Sequence, residues 1–253
     1  MAESDLYLRS VLGFHILVTS SALFVFSTFA IFATKGGRWH ILAGRYFYWT
    51  VILGSVSGVL LLFDPNFIDR WLPSEGQDFE RSIGAWFAPA SHLMKDLFFI
   101  FAAVAALVCV ISGRRIWTRL RAAQDRVGAD WRDWLLSLLL GTMAIFWAVI
   151  GAHDLGREGL HGDRLLISSV ILLGFSLVDI WTFLSRPSPA EFPWQLLHGL
   201  KMSAVVVFLV VAYQFHLEDF LPGVLKSPYV TVAMIVVLLS TFFLLDRRKP
   251  MRD

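Results

Sequence analysis

Seven long apolar stretches constrain this chain more than any other feature of its sequence. A helix that crosses a membrane needs roughly 20 mostly apolar residues, because it rises about 1.5 Å per residue through about 30 Å of hydrocarbon. The stretches cover approximately residues 11–33, 46–63, 89–112, 134–152, 165–184, 195–215 and 228–245. They lack the alternation of apolar and polar residues that is typical of a transmembrane barrel strand. The sequence therefore predicts an all-α polytopic membrane protein, a bundle of seven transmembrane helices in a single domain over residues 1–253.

The composition excludes most other classes of protein. Hydrophobic residues make up 57% of the chain and charged residues 17%, with a mean hydropathy of +0.64, whereas a soluble domain carries about 25% charged residues. A single cysteine excludes a disulfide scaffold. No basic stripe lies in a soluble segment, so a nucleic acid is not an expected partner. The expected partner is the lipid bilayer.

The basic residues predict how the helices are oriented. Of the 22 Lys and Arg residues, 14 lie in the first, third and fifth loops and the C-terminal tail, and six lie in the N-terminus and the other loops. Cytoplasmic loops are enriched in Lys and Arg, so we expect the N-terminus outside and the C-terminus in the cytoplasm, in a bacterial inner membrane. The 14 are Lys35, Arg38, Arg45, Arg114, Arg115, Arg119, Arg121, Arg126, Arg132, Arg186, Arg247, Arg248, Lys249 and Arg252.

Four charged residues fall inside predicted spans: Lys95 and Asp96 in the third, Asp179 in the fifth and Lys201 in the sixth. A charge deep in a membrane costs at least ~2.5–3.5 kcal/mol, and such residues are functional candidates by default. Asp179 precedes Arg186 by seven residues, which places it about 10 Å into the inner leaflet. An ion pair between Asp179 and Lys201 would make both charges tolerable there. The simpler interpretation is that such pairs are structural.

Six of the seven histidines lie in or at the ends of predicted spans, in two groups. A single histidine in such a place is usually an interface residue, but four from different spans at one depth favour a site. The outer group is His15, His92, His153 and His216, with Lys95, Asp96 and Asp154. The inner group is His40 and His198, with Asp179 and Lys201.

These groups suit three kinds of chemistry. Haem b needs two imidazoles on facing helices at matched depth, which the outer histidines supply, and His40 with His198 could form a second site. The four outer histidines could instead bind zinc, although no HExxH or HxxxH pair supports it. Carboxylates and histidines on both leaflets also suit a proton pathway.

The patterns favour a b-type haem-binding membrane redox protein slightly over a proton- or ion-coupled transporter or channel. A structural or accessory subunit of a larger membrane complex, or a homo-oligomer, would need none of this chemistry. The residues leave open whether the protein is an enzyme.

The segment from His15 to Tyr48 carries a recognisable pattern, an intramembrane histidine and an apolar span followed by KGGRWH and AGRYFY. It resembles the opening of the bacterial multi-pass family catalogued as domain of unknown function 2306, and the region from His198 to Pro222 is similar more loosely. Ile41 stands where that family commonly has a basic residue. The resemblance implies a multi-pass membrane fold with motif histidines at His15, His40 and His198, and it implies no established reaction.

Overall fold

The computed structural model describes residues 2–34, 36–61, 92–123, 126–154 and 162–216. In these ranges the chain is helical and has no strand, so the predicted all-α class is confirmed. The elements are α1 (Ala2–Ser20), a π-helical segment (Ser21–Phe26), α2 (Ser27–Phe32), α3 (Arg38–Leu61), α4 (His92–Ala122), α5 (Trp131–Asp154), α6 (Gly162–Ser185) and α7 (Trp194–His216).

Four helical stretches within the described ranges are long and apolar enough to cross a membrane: Ser10–Phe32, Ile100–Ala122, Trp131–Ala152 and Leu165–Ser185. Many large apolar side chains on these stretches are more than half exposed, among them Leu17, Phe24, Val149, Val170 and Leu184. An aqueous surface disfavours such side chains, whereas lipid does not. The four stretches therefore indicate a membrane protein whose apolar exterior contacts the bilayer.

Several helices extend beyond the predicted spans. The helix α3 begins at Arg38 rather than at 46, and α4 continues to Ala122 rather than ending at 112. Hydropathy detects only the part of a helix that fits in hydrocarbon, whereas backbone hydrogen bonding continues into the interface. His40 consequently lies in the first turn of α3, although it precedes residue 46, where the second span is predicted to begin. The seventh predicted span, 228–245, lies outside the described residues.

Residue contacts divide the chain into two compact units, Met1–Val104 with Asp154–His161, and Ala105–His153 with Gly162–Asp253. In the first unit, α1, the π-helical segment and α2 pack on α3. A Cβ added to Gly54 would lie 2.8 Å from Thr19 Cγ2, so the absence of a side chain allows the close approach of α1 and α3. Gly36, with a φ of +75°, forms the turn before α3, as the Gly36–Gly37 pair predicts. The single domain stays a prediction.

The second unit contains the rest of α4 and the helices α5 to α7. Several serine, threonine and charged side chains are buried in its interior beside apolar ones. Small residues bring α5 and α6 together: a Cβ on Gly141 would lie 2.6 Å from Ser176 Oγ. At one end of the unit, the backbone N–H of Val127 donates to the carbonyl of Pro187 at 3.3 Å, which joins the α4–α5 and α6–α7 loops.

A reciprocal cap fixes the start of α5. Asp130 accepts hydrogen bonds from the backbone N–H groups of Arg132 and Asp133 at 2.9 and 3.1 Å, and Asp133 accepts one from the N–H of Asp130 at 3.0 Å. This is a capping box with aspartates at both positions. Arg115 of α4 binds both carboxylates, with nitrogen–oxygen distances of 2.6 Å to each, and so ties the end of α4 to the start of α5.

Candidate functional site

The ion pair that the sequence predicts between Asp179 and Lys201 is present in the interior of the second unit. Lys201 Nζ of α7 lies 2.5 Å from Asp179 Oδ2 of α6. The two residues are 0% and 1% exposed. Two charges removed from solvent this completely are tolerable only when each finds its partner and further hydrogen bonds. Their depth makes the pair the first candidate for a functional centre.

Hydroxyl groups from neighbouring helices complete the surroundings of the pair. Ser137 of α5 donates to Asp179 Oδ2 at 2.9 Å, and Lys201 donates to Ser112 Oγ of α4 at 3.2 Å. Ser176 in turn donates to the carbonyl of Ser137 at 2.8 Å. Four helices therefore contribute to one buried polar network, which we call the Asp179–Lys201 network.

One atom of this network is not satisfied. Asp179 Oδ1 is buried and has no hydrogen-bond donor within the described ranges, whereas Oδ2 receives bonds from both Lys201 and Ser137. A buried carboxylate oxygen without a donor costs free energy, of the order of 1–3 kcal/mol or more for a charged group.

The sequence creates this network by spacing its polar residues along helix faces. Ser176, Asp179 and Thr182 are three residues apart in α6, so they lie on one face of that helix. Ser137 and Gly141 are four residues apart in α5 and meet that face. The small residues let the helices approach closely, and the polar residues bind one another across the contact.

His198 lies one turn before Lys201 in α7. Its Nδ1–H donates to the carbonyl of Gly113 in α4 at 2.9 Å, and its ring makes an edge contact with Trp117 at a centroid distance of 5.6 Å. A Cβ on Gly113 would lie 3.4 Å from Lys201 Cβ. The histidine thus fixes α7 against α4 beside the ion pair, without belonging to it.

His15 makes a similar contact in the first unit. Its Nδ1 lies 3.1 Å from the carbonyl of Gly54 and 3.0 Å from Ser57 Oγ, while Ser57 donates to the same carbonyl. Because a carbonyl only accepts, Nδ1 carries the proton. A Cβ on Gly58 would lie 3.1 Å from His15 Cε1, so α3 approaches the ring closely.

His40 repeats the pattern, since its Nδ1–H donates to the carbonyl of Ala30 at 2.9 Å. His15, His40 and His198 therefore all donate from Nδ1 to a backbone carbonyl, and Nε2 is the nitrogen with which each would bind iron or another metal. Metal-binding histidines commonly have this second hydrogen bond. It is equally consistent with histidines that only join helices.

The other predicted site residues are located by their backbone alone. His92, Lys95 and Asp96 lie in the first two turns of α4, and His153 and His216 at the ends of α5 and α7. Their side chains lie outside the part of the chain that the structure describes. Among the described residues there is no group of three His, Cys, Asp or Glu that could hold a metal, so the haem and zinc sites stay predictions.

The distribution of charges predicts Arg115 and Arg119 in a basic cytoplasmic loop, but both belong to α4, and Arg119 is buried. Arg119 is 7% exposed. The one sequence signal near it is the recurrence of Ile116, Leu120 and Ala123 at helical spacing, which indicates an apolar helix face. The charge pattern alone conceals the burial, because the positive-inside rule predicts arginines there in any case.

Comparison with protein-family models, with curated proteins and with solved structures gives no match.

Proposed function

We propose that this protein is a seven-span protein of a bacterial inner membrane, with its N-terminus outside and its C-terminus in the cytoplasm. The four apolar stretches Ser10–Phe32, Ile100–Ala122, Trp131–Ala152 and Leu165–Ser185 support four of the spans. The helices α3 and α7 supply two more, since each exceeds 20 residues. The apolar stretch 228–245 supplies the seventh, and the uneven distribution of Lys and Arg supports the orientation.

Its function, we propose further, is proton-coupled transport, with Asp179 as the group that takes up and releases the proton. The observation that carries this proposal is the completely buried Asp179–Lys201 pair, in which no described residue donates to Asp179 Oδ1. A proton that arrives at Oδ1 neutralises the carboxylate and weakens its attraction for the Lys201 ammonium. The helices α6 and α7 carry the two partners, so protonation biases the packing of one helix against the other.

Proton flux into liposomes tests this function. Purified protein is reconstituted with a pH-sensitive dye inside the vesicles, and a pH gradient is applied. We expect flux with the wild type, and at least a tenfold loss in Asp179→Asn and in Lys201→Met, because neither variant can alternate between a bound and a released ammonium. Glu191→Gln removes one negative charge from an exposed loop residue and should leave the flux unchanged.

The double variant Asp179→Asn/Lys201→Met is the control that distinguishes a loss of flux from misfolding. It removes both charges together, so no buried charge is left unpaired, and we expect a folded protein without flux. Wild-type flux in a folded Asp179→Asn protein would contradict the proposal, and so would wild-type protein that shows no flux above empty liposomes.

A second candidate function is haem-dependent electron transfer, favoured by the shared Nδ1–H hydrogen bonds of His15, His40 and His198. Expression with added haem followed by absorbance spectroscopy tests it. We expect a Soret band that His15→Ala removes, whereas Ser57→Ala, which removes only a neighbour of the ring, should retain it. Purified wild-type protein without a Soret band would exclude haem binding.

A further inference from the structure

Arg119 is a buried cation that the Asp179–Lys201 network does not use. It belongs to α4 in the second unit and keeps only 7% of its surface exposed. Its Nε and Nη1 atoms are buried and have no hydrogen-bond acceptor among the residues that the structure describes. Guanidinium cannot lose its charge in a protein, and buried donors of a charged group without an acceptor are costly. An acceptor that reaches these two atoms would therefore bind with a gain in free energy.

Aromatic rings hold the guanidinium in place but do not supply that acceptor. Arg119 Cζ lies 4.9 Å from the centroid of the Phe183 ring and 5.5 Å from that of Trp194. These cation–π contacts stabilise the positive charge. A ring is only a weak hydrogen-bond acceptor, however. The rings therefore orient the guanidinium, but among the described residues its Nε–H and Nη1–H groups have no acceptor.

Three carboxylates that the structure describes in the second unit, Asp130, Asp133 and Asp179, are bound to other cations. Asp130 and Asp133 both bind Arg115, and Asp133 and Asp130 also accept backbone N–H groups of the α5 cap. Asp179 binds Lys201 and Ser137. A carboxylate could turn to Arg119 only by giving up one of these partners. These three carboxylates therefore leave Arg119 without an acceptor, which a bound ligand could supply.

The surroundings of Arg119 favour an anion. The loops that follow α4 and α6 are joined at this end of the unit by the Val127–Pro187 hydrogen bond. Five further arginines of these loops and their flanking turns are exposed, namely Arg114, Arg121, Arg126, Arg132 and Arg186. Exposed arginines of this kind raise the local concentration of anions at a surface.

We propose that Arg119 binds the phosphate group of an anionic ligand through hydrogen bonds from Nε and Nη1 of its guanidinium. A planar guanidinium offers several donors in fixed directions to phosphate oxygens, which a lysine does not. The phosphate belongs either to the headgroup of an anionic phospholipid or to free phosphate in solution. The site does not depend on the transport function, because it uses neither Asp179 nor Lys201.

The test compares wild type, Arg119→Met, Arg119→Lys and the exposed control Arg121→Met. In one arm, native mass spectrometry measures how much phosphatidylglycerol each full-length protein retains after purification from mixed phosphatidylglycerol and phosphatidylcholine. In the other arm, thermal unfolding in phosphatidylcholine nanodiscs is measured with inorganic phosphate or with chloride at equal ionic strength. The first arm reports on the lipid headgroup and the second on free phosphate.

We expect a clear signal for the wild type in one arm, a loss of about tenfold or more in Arg119→Met, a smaller loss in Arg119→Lys and no loss in Arg121→Met. The arm that responds identifies the source of the phosphate. The proposal is overturned if the wild type responds in neither arm, or if Arg119→Met and Arg121→Met behave alike. Should Arg119→Met fail to fold, Arg119→Lys decides, because unchanged binding in that variant would exclude a contact that needs the guanidinium.

Discussion

At the scale of the single residue, the stability of the protein depends on Asp179 and Lys201 as a unit. Removal of one member leaves the other as an unpaired buried charge. We therefore expect Asp179→Asn and Lys201→Met each to lower the free energy of unfolding by about 3–5 kcal/mol. The double variant should cost less than the sum of the two. Titration with sodium dodecyl sulfate in mixed micelles measures these free energies. Additive costs would show that the contact at 2.5 Å contributes no coupling.

The Asp130 carboxylate makes the stability of the α4–α5 connection depend on pH in the acid range. Desolvation raises the pKa of Asp130, but the hydrogen bonds from Arg115 and from the backbone N–H groups of Asp133 and Arg132 outweigh it and lower that pKa below its usual value. A carboxyl whose pKa is lower in the folded state stabilises the fold above its unfolded pKa of about 3.9, and this contribution is lost as the pH falls through the folded value.

We therefore expect the wild type to lose thermal stability between about pH 5 and about pH 2, and Asp130→Asn to lose less over the same range. Asparagine is a good N-cap residue, so this variant isolates the charge from the cap. Because Asp130 is exposed, the difference should be small and should diminish with added salt. Identical pH profiles for the two proteins would show that Arg115 does not bind the Asp130 charge appreciably.

At this scale the sequence predicts the Asp179–Lys201 pair, because membrane depth leaves few partners for a buried charge. It does not predict the hydroxyl partners Ser112 and Ser137, since serine is common at helix contacts and its neighbours depend on how the helices rotate. Arg119 escapes prediction for a related reason. Its charge fits the general bias of a cytoplasmic loop, and its burial depends on Phe183 and Trp194 from helices distant in sequence.

At the scale of the helix, the contact between α5 and α6 depends on the absence of a side chain at Gly141. A Cβ there would lie 2.6 Å from Ser176 Oγ, so Gly141→Ala must turn that hydroxyl away from the Ser137 carbonyl. We expect a loss of about 1–3 kcal/mol in the free energy of unfolding. Gly174→Ala in α6 is the matched control, because a Cβ there meets nothing within 4 Å, and it should be neutral or stabilise by up to about 1 kcal/mol.

A second change tests whether the clash is the cause. Ser176→Ala removes the hydroxyl and leaves the added Cβ at an ordinary 3.4 Å from the remaining side chain. Combined with Gly141→Ala, it should recover most of the lost stability. A double variant as unstable as Gly141→Ala would show that the cost arises elsewhere in the helix pair.

Hydropathy predicts the positions of the helices well, but it predicts the start of α3 and the end of α4 poorly. The α5, α6 and α7 helices each begin and end within about three residues of the predicted spans. The α4 helix continues past Ser112 because Arg115 is neutralised by Asp130 and Asp133 and Ile116 is fully buried. The aspartates that neutralise Arg115 come from the start of the next helix, so the hydropathy of a window along α4 alone does not reveal them.

At the scale of the whole molecule, the proposed topology has a direct test by thiol labelling. Starting from Cys109→Ala, one new cysteine is introduced at Arg186, which is exposed in the structure, or at Gly159 in a predicted outer loop. A membrane-impermeant thiol reagent added to intact cells should label Gly159→Cys and should label Arg186→Cys only after lysis. Equal labelling of the two sites in intact cells would contradict the proposed orientation.

The π-helical segment Ser21–Phe26 introduces a phase shift into the first span. One extra residue in a turn rotates the preceding helix by about 100° relative to the following one. His15, which contacts Gly54 and Ser57, lies before this shift, and Ala30, which accepts from His40, lies after it. The faces of the span before and after the segment are therefore oriented separately. Deletion of one residue from the segment would turn His15 away from α3, while the Ala30–His40 bond stays in place.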